Sequence, residues 1–114
     1  MEDPEFIYKV ADRAVFEQAA DGVFTGMPVD HADGFIHFST AGQLPGTLAK
    51  HFAGKADLVL LGVRTLGLDL VWEPSRGGDL FPHLYRPLPL DAIAWVLPLA
   101  VDADGRADLP EAVR

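Results

Sequence analysis

Runs of apolar residues along the chain mark five candidate β-strands. The residues at 58–63 are apolar except for one glycine, which is typical of a strand covered on both faces, so we predict that this strand is central in a sheet. In the segments at 34–39 and 68–73, apolar and polar residues alternate, which predicts strands with one polar face. The other two candidates are the segments at 6–10 and 92–99.

Two further segments carry helix signals. Asp12 is a candidate N-cap for a helix over residues 13–20, in which the apolar residues share one face. Thr40 and Gln43 have the spacing of a capping box, which predicts that a second helix follows. Because a proline stands at position 45, we expect the main part of this helix to restart there and to run over 45–52.

Together these elements predict an α+β fold in one domain over residues 1–114. We expect a central mixed or split β-sheet of about five to six strands with two helices. The segment at 80–88 is punctuated by proline and should be extended, crossing the mouth of the sheet. The acidic tail from about residue 102 is expected to be loosely held.

Composition and charge narrow the classes of function. The chain has 114 residues, 49% of them apolar, and no cysteine, which excludes disulfides, thiolate catalysis and thiolate metal sites. Seventeen acidic and nine basic residues give a net charge of −8, and the basic residues are scattered, so we expect no nucleic-acid partner. A small anionic ligand stays open, because a few local cations can outweigh the global field.

The same patterns bear on where the protein acts. The longest apolar run, at 58–63, has the length of a strand and falls far short of the roughly 20 apolar residues that a membrane helix needs. Three of the first five residues are acidic and none is basic, whereas a signal peptide begins with basic residues. We therefore expect a cytoplasmic protein with no membrane partner; its oligomeric state stays open.

Polar residues inside otherwise apolar segments are the candidates for chemistry. We expect the region 33–88 to build one polar pocket around His37 and His83, because alternation places His37 beside Ser39 on the face opposite Ile36. Buried polar groups are costly unless they are paired, so a structural hydrogen-bond network is the alternative. The candidate catalytic residues are Glu73 and His83, and the candidate ligand-binding residues are His37, Ser39, Thr40, Arg76, Phe81 and Tyr85.

Several of these residues also have plainer interpretations. Thr40 is better explained as a helix cap than as a ligand contact, and pairing with Arg76 would account for Glu73. Phe81 and Tyr85 are interpreted first as pocket wall and second as stacking partners for a flat ring. We expect no native metal, because no two histidines have the close spacing of a metal-ligand pair.

Four motifs resemble a known family. They are the segment at 33–40 with Gln43, the apolar strand at 58–61, the tripeptide at 72–74 followed by Gly78, and the segment at 81–85 with the residues at 87–88. As a set they closely resemble the bacterial family called domain of unknown function 952, and the resemblance covers the chain from Tyr8 to Leu99. The sequence departs from the family pattern at Arg86, where a glycine is usual, and at Pro45.

A more distant resemblance implies a fold and a cofactor. The family is similar in outline to the ADP-ribosyltransferase superfamily, whose split mixed sheet holds NAD in a cleft. The resemblance implies that His37 and Ser39 contact the nicotinamide ribose and amide and that Tyr85 or Phe81 stacks on the nicotinamide. It also implies a late glutamate that polarises the ribose, whereas Glu73 lies between the two histidine motifs.

Three functions therefore stay open. The first is a pocket that binds a nucleotide-like small molecule without catalysis, and the missing late glutamate favours it. The second is an NAD-dependent transferase or glycohydrolase in which Glu73 or His83 stabilises the developing charge. The third is a buried polar network with a purely structural role, and a cleft lined by His37 and His83 would count against it.

Overall fold

The computed structural model describes residues 3–113, apart from the side chain of Arg76. Within that range the chain forms eight strands and three α-helices. The strands are β1 (Phe6–Asp12), β2 (Val23–Phe24), β3 (Ile36–His37), β4 (Leu58–Arg64), β5 (Leu70–Pro74), β6 (Leu80–Leu84), β7 (Leu88–Pro89) and β8 (Ile93–Leu99). The helices are α1 (Arg13–Phe16), α2 (Pro28–Asp33) and α3 (Leu44–His51).

Strand β4 is the centre of a three-stranded sheet in the order β1-β4-β8. Its first six residues are buried, and alternate side chains enter two different apolar clusters. Val59, Leu61 and Val63 belong to one cluster, whereas Leu58 and Leu60 belong to the other. The prediction of a central strand covered on both faces is therefore confirmed.

A second three-stranded sheet has the order β3-β6-β5, and a short pair joins β2 to β7. Reciprocal backbone hydrogen bonds of 2.8 and 2.9 Å between Tyr8 and Ser39 connect the first sheet to the second. The second sheet gives β6 an unexpected position. We expected the segment at 80–88 to cross the mouth of the sheet, but β6 pairs with a strand on each side.

The expectation of a mixed sheet is wrong, because every strand pair among residues 3–113 is antiparallel. The sheet strands also number more than the five to six predicted, since the chain adds the two-residue strands β2, β3 and β7. The fold is α+β, as predicted.

The described chain has three α-helices where two were expected. The additional helix is α2, in which Pro28 occupies the first turn and the Asp30 carboxylate accepts a hydrogen bond from the Met27 amide at 2.7 Å. Here the capping carboxylate comes from inside the helix, so the usual polar N-cap signal is absent from the sequence. Among the described residues, no helix has the length and apolar content needed to span a membrane.

Helix α1 ends at Phe16 instead of continuing to residue 20, and the Asp12 side chain makes no capping bond. The chain turns back at Asp21 and Gly22, which both have positive φ angles, so that Ala20 bridges Val23. Asp-Gly is a strong signal for a tight turn of this type. The turn therefore takes precedence over the helical pattern.

The segment after residue 101 packs against the domain, contrary to the loosely held tail that we expected. Ala107, Leu109 and Val113 contact the apolar cluster that contains β4 residues Leu58 and Leu60. The Asp102 carboxylate accepts bonds from the backbone amides of residues 104 and 106, which folds the segment back on itself. Its few apolar residues are thus enough to dock it, despite its acidic character.

Candidate functional site

A cleft of about 610 Å³ lies beside β1, where strands of both sheets and helices α2 and α3 contribute side chains. Its walls include apolar residues such as Phe38 and Phe81, together with several hydrogen-bonding groups. The polar and titratable residues that line it are Tyr8, Lys9, Asp12, Asp33, His37, Ser39, Thr47, Lys50, His51, Lys55, Ser75 and His83. This combination of apolar wall and convergent polar groups is typical of small-molecule sites.

His37 and His83 face each other across two strands. They are register partners in the β3–β6 pair, and their ring centroids lie 5.3 Å apart. Ile36 and Phe38 turn inward and are each 3% exposed, so the predicted alternation of this segment is present in the structure. The two histidines that motivated the candidate site therefore lie side by side at the cleft.

His37 is held between two aspartates of α2. Its Nδ1 lies 2.6 Å from Oδ1 of Asp30, and its Nε2 lies 2.9 Å from Oδ2 of Asp33. Because carboxylates only accept hydrogen bonds, both contacts form together only when both ring nitrogens carry a proton. A ligand group can reach the His37 ring nitrogens only by displacing one carboxylate, and Asp33, at 47% exposure, is the accessible one.

Asp30 is the centre of a buried ionic cluster. Its carboxylate lies 2.8 Å from Nζ of Lys9, and it also accepts hydrogen bonds from the backbone amides of Met27 and His37. Burial opposes ionisation of Asp30, but the hydrogen bond from His37 and the charge of Lys9 outweigh it and lower the pKa of Asp30 to about 2. Burial also lowers the pKa of Lys9, against the opposing effect of Asp30.

This cluster predicts a loss of stability in acid. The pKa of Asp30 is lowered from 3.8 to about 2 in the folded state, so its stabilising effect is complete above pH 4 and is lost as the pH falls towards 2. The difference corresponds to roughly 2 kcal/mol. We expect the free energy of unfolding, measured by urea denaturation at pH 6, 4, 3 and 2.5, to fall mainly below pH 4. The Asp33→Asn variant should keep the same decline, whereas a flat profile in the unmodified protein would contradict this assignment.

His83 forms a second polar cluster with two other predicted residues. Its Nδ1 lies 2.8 Å from Oε1 of Glu73, and the same carboxylate oxygen accepts a bond from the Tyr85 hydroxyl at 2.6 Å. The Tyr85 and His83 hydrogen bonds lower the pKa of Glu73, and the Glu73 hydrogen bond raises the pKa of Tyr85. A carboxylate at Nδ1 fixes the proton there when the ring is neutral, which leaves Nε2 as an acceptor.

Phe35 joins the two histidines to Tyr85. Its ring centroid lies 4.6 Å from that of His37, 4.1 Å from that of His83 and 5.1 Å from that of Tyr85, with which it is nearly parallel. The contacts with Phe35 restrict the orientation of both imidazoles. They also occupy one face of Tyr85, a residue that the resemblance assigned to stacking on nicotinamide and that remains 54% exposed.

The other predicted residues divide between the cleft and the structure around it. Ser39 lines the cleft and is 4% exposed, with its hydroxyl 2.8 Å from that of Thr47. Thr40 exchanges hydrogen bonds with Gln43, as a capping box requires, and α3 begins directly afterwards at Leu44. Among the described lining residues, Thr40, Glu73 and Tyr85 do not appear.

Phe81 forms part of the cleft wall and is 6% exposed. Arg76 begins the 3-10 helix Arg76–Gly78, but its side chain lies outside the described part of the structure, so the suggested pairing with Glu73 stays a prediction. The described partners of Glu73 are His83 and Tyr85.

Sequence reasoning missed Lys9, Asp30, Asp33 and Phe35. A signal for the first pair was present, because Lys9 interrupts a strand of aromatic and β-branched residues and is buried there, at 6% exposure. A lysine in such a place needs a buried carboxylate. Nothing in the sequence distinguished Asp30 from the other sixteen acidic residues as that partner.

Comparisons with known proteins agree on one group of relatives. The family model described as "Protein of unknown function (DUF952)" matches residues 10–96. Two crystal structures of protein CC0527 from Caulobacter crescentus, one of them a double mutant, are 49% and 48% identical to this chain, each with a TM-score of 0.85. Each alignment covers 95% of this chain and 97% of that chain. A solution NMR structure of CC0527 is 50% identical, has a TM-score of 0.77 and is aligned over 90% of both chains. No curated protein matches the chain.

Proposed function

Since the chain belongs to the family of proteins of unknown function described as DUF952, we propose that its cleft binds a nucleotide-like small molecule without catalysing its conversion. The observation that carries the proposal is the convergence of His37, Ser39 and His83 on one cleft of about 610 Å³ with an apolar wall. That volume is within the range of sites for small ligands.

The His83 side chain supplies the main recognition group. Its Nδ1 is held by Glu73, and among residues 3–113 no hydrogen bond reaches its Nε2. That nitrogen is thus available to accept a hydrogen bond from an amide or a ribose hydroxyl of a ligand. Phe81 offers apolar surface for a flat ring beside it. A hydrogen-bond network with a purely structural role does not need an open cleft. The presence of the cleft therefore favours the binding proposal over the structural one.

A second candidate function is an NAD-dependent ADP-ribosyltransferase or NAD glycohydrolase. The carboxylate–imidazole pair of Glu73 and His83 favours it, since such a pair can stabilise an oxocarbenium-like charge on ribose. The two separate three-stranded sheets are also compatible with a split-sheet fold of the ADP-ribosyltransferase type. However, Glu73 is absent from the described cleft lining, so it reaches a cleft ligand only through His83, and we therefore place binding first.

The test is a thermal-shift titration with NAD, ADP-ribose and nicotinamide. A ligand that binds only the folded state must raise its melting temperature, by several degrees when the ligand is at 100 times its Kd in a chain of this size. We expect NAD or ADP-ribose to raise it in the unmodified protein. The His83→Asn variant should lose the shift, because asparagine can still donate to Glu73 but has no counterpart of Nε2.

His31→Asn is the matched control, because His31 is exposed and lies outside the described lining of the cleft. It should keep the shift of the unmodified protein. Absence of any shift up to millimolar ligand would remove the nucleotide proposal. Release of nicotinamide from NAD, abolished by Glu73→Gln, would replace the binding proposal with the enzymatic one.

A further inference from the structure

The lysines of this acidic chain are grouped in the cleft. All three lysines of the sequence and three of its four histidines line it, together with two of the seventeen acidic residues. In a chain with a net charge of −8, three lysines thus line one concave surface together with two aspartates, Asp12 and Asp33. Scattered placement of the basic residues along the sequence concealed this grouping.

Among residues 3–113, two of the three lysines form no salt bridge with a carboxylate. Lys9 is paired with the buried Asp30, whereas no salt bridge to Lys50 or Lys55 is found among residues 3–113. Both are exposed and lie close together in the sequence, at the end of α3 and in the loop that follows. Nζ of Lys55 lies 5.8 Å from the ring centroid of Phe52, which also lines the cleft.

Resting on the proposed function, we infer that the ligand of this cleft is an anion bearing a phosphate or pyrophosphate group. Lys50 and Lys55 contact that group, and the hydrogen-bonding part of the ligand contacts His83. Two ammonium groups that form no salt bridge among residues 3–113 attract an anion in a partly enclosed site, since the surrounding low-dielectric walls focus the field. A neutral nucleoside has no anionic group for these two lysines to contact.

Helix stabilisation explains only part of this pattern. Lys50 and His51 lie in the last turn of α3, where cations favour the negative end of the helix dipole. Lys55 lies four residues beyond the end of the helix, and Lys9 is on β1, yet both line the same cleft. Lys9 is placed by its ion pair with Asp30, so Lys55 is the lysine whose position neither that pair nor the helix terminus explains.

The experiment compares two double variants that remove equal charge. Lys50→Gln with Lys55→Gln changes the cleft, whereas Arg64→Gln with Arg86→Gln changes exposed residues outside its described lining. Binding of inorganic pyrophosphate, ADP-ribose and adenosine is measured by calorimetry at 50 and 300 mM NaCl. We expect the lysine variant to bind pyrophosphate and ADP-ribose about tenfold more weakly or worse, and the arginine variant to change less than twofold.

Adenosine separates this inference from the proposed function. If adenosine and ADP-ribose bind the unmodified protein equally well and both lysines are dispensable, the anion inference is overturned while the nucleotide cleft stands. If none of the three probes binds, both proposals are overturned. Weakening of ADP-ribose binding at 300 mM NaCl, with adenosine unaffected, is the expected mark of a phosphate contact.

Discussion

Replacing Asp30 with alanine should lower the free energy of unfolding by about 3–5 kcal/mol, the usual cost of removing one member of a buried ion pair. The change leaves Lys9 buried at 6% exposure without its carboxylate. It also removes the acceptor of the Met27 and His37 backbone amides. Since small domains are stable by only about 5–15 kcal/mol, this variant should unfold at a much lower urea concentration.

Asp33→Ala is the matched control for Asp30→Ala. Both aspartates lie on α2 and both contact the His37 ring, but the Asp33 side chain is 47% exposed. An exposed ion pair contributes at most about 1 kcal/mol, so Asp33→Ala should have little effect on urea denaturation. If the two variants lose equal stability, Asp30 is not the centre of the cluster.

A double variant separates the ion pair from the backbone contacts of Asp30. Lys9→Met with Asp30→Leu removes both charges and keeps apolar volume, which is often neutral when only an ion pair is replaced. Here we expect partial recovery relative to Asp30→Ala, because the Met27 and His37 amides still lack their acceptor. Full recovery would show that those backbone bonds contribute nothing.

Local signals predicted the elements whose neighbours are close in the sequence or whose burial is unambiguous. The apolar run at 58–63 identified β4 as central, because a strand-length run without polar side chains indicates a strand that is covered on both faces. The reciprocal bonds of Thr40 and Gln43 formed as their spacing indicated, since a capping box depends only on residues three apart. Alternation also predicted the inward Ile36 and Phe38.

Pairings between distant segments were not predictable in this way. The Lys9–Asp30 pair joins residues 21 positions apart, and Tyr8 bridges Ser39 across the two sheets. Neither contact leaves a repeat or spacing in the sequence, because each depends on how whole strands dock. The same reason explains why the sequence did not predict three other features. They are the antiparallel arrangement, the docked segment after residue 101 and the lysine grouping in the cleft.

The two histidines at the cleft differ in how many of their ring nitrogens are already held by carboxylates. His37 is committed to Asp30 and Asp33, whereas His83 has one nitrogen held by Glu73 and the other without a described partner. Substituting His83 should therefore affect ligand binding, and substituting Asp30 should affect folding. This division makes it practical to test the proposed function without unfolding the protein.

The Gly62→Ala variant should lower the free energy of unfolding by about 2–3 kcal/mol, towards the upper part of the range for overpacked cores. Gly62 lies in the central strand β4 opposite Trp95, and a Cβ added there would overlap the Trp95 indole ring. The ring is confined further by its contact with Tyr8, whose centroid lies 5.9 Å away. Urea denaturation, followed by circular dichroism, measures the change.

The sign of the effect makes the Gly62 test decisive. Alanine restricts the unfolded chain more than glycine does, so where it fits without strain it stabilises by about 0.4–1 kcal/mol. Gly42→Ala is the control, because no atom lies within 4 Å of its added Cβ and its φ is not positive, so it should be neutral or slightly stabilising. In the Trp95→Val background, Gly62→Ala should cost little stability relative to Trp95→Val alone, since the smaller side chain vacates the overlapped space. A Gly62→Ala variant as stable as the unmodified protein would mean that Trp95 moves without cost and that this glycine is not required by the ring.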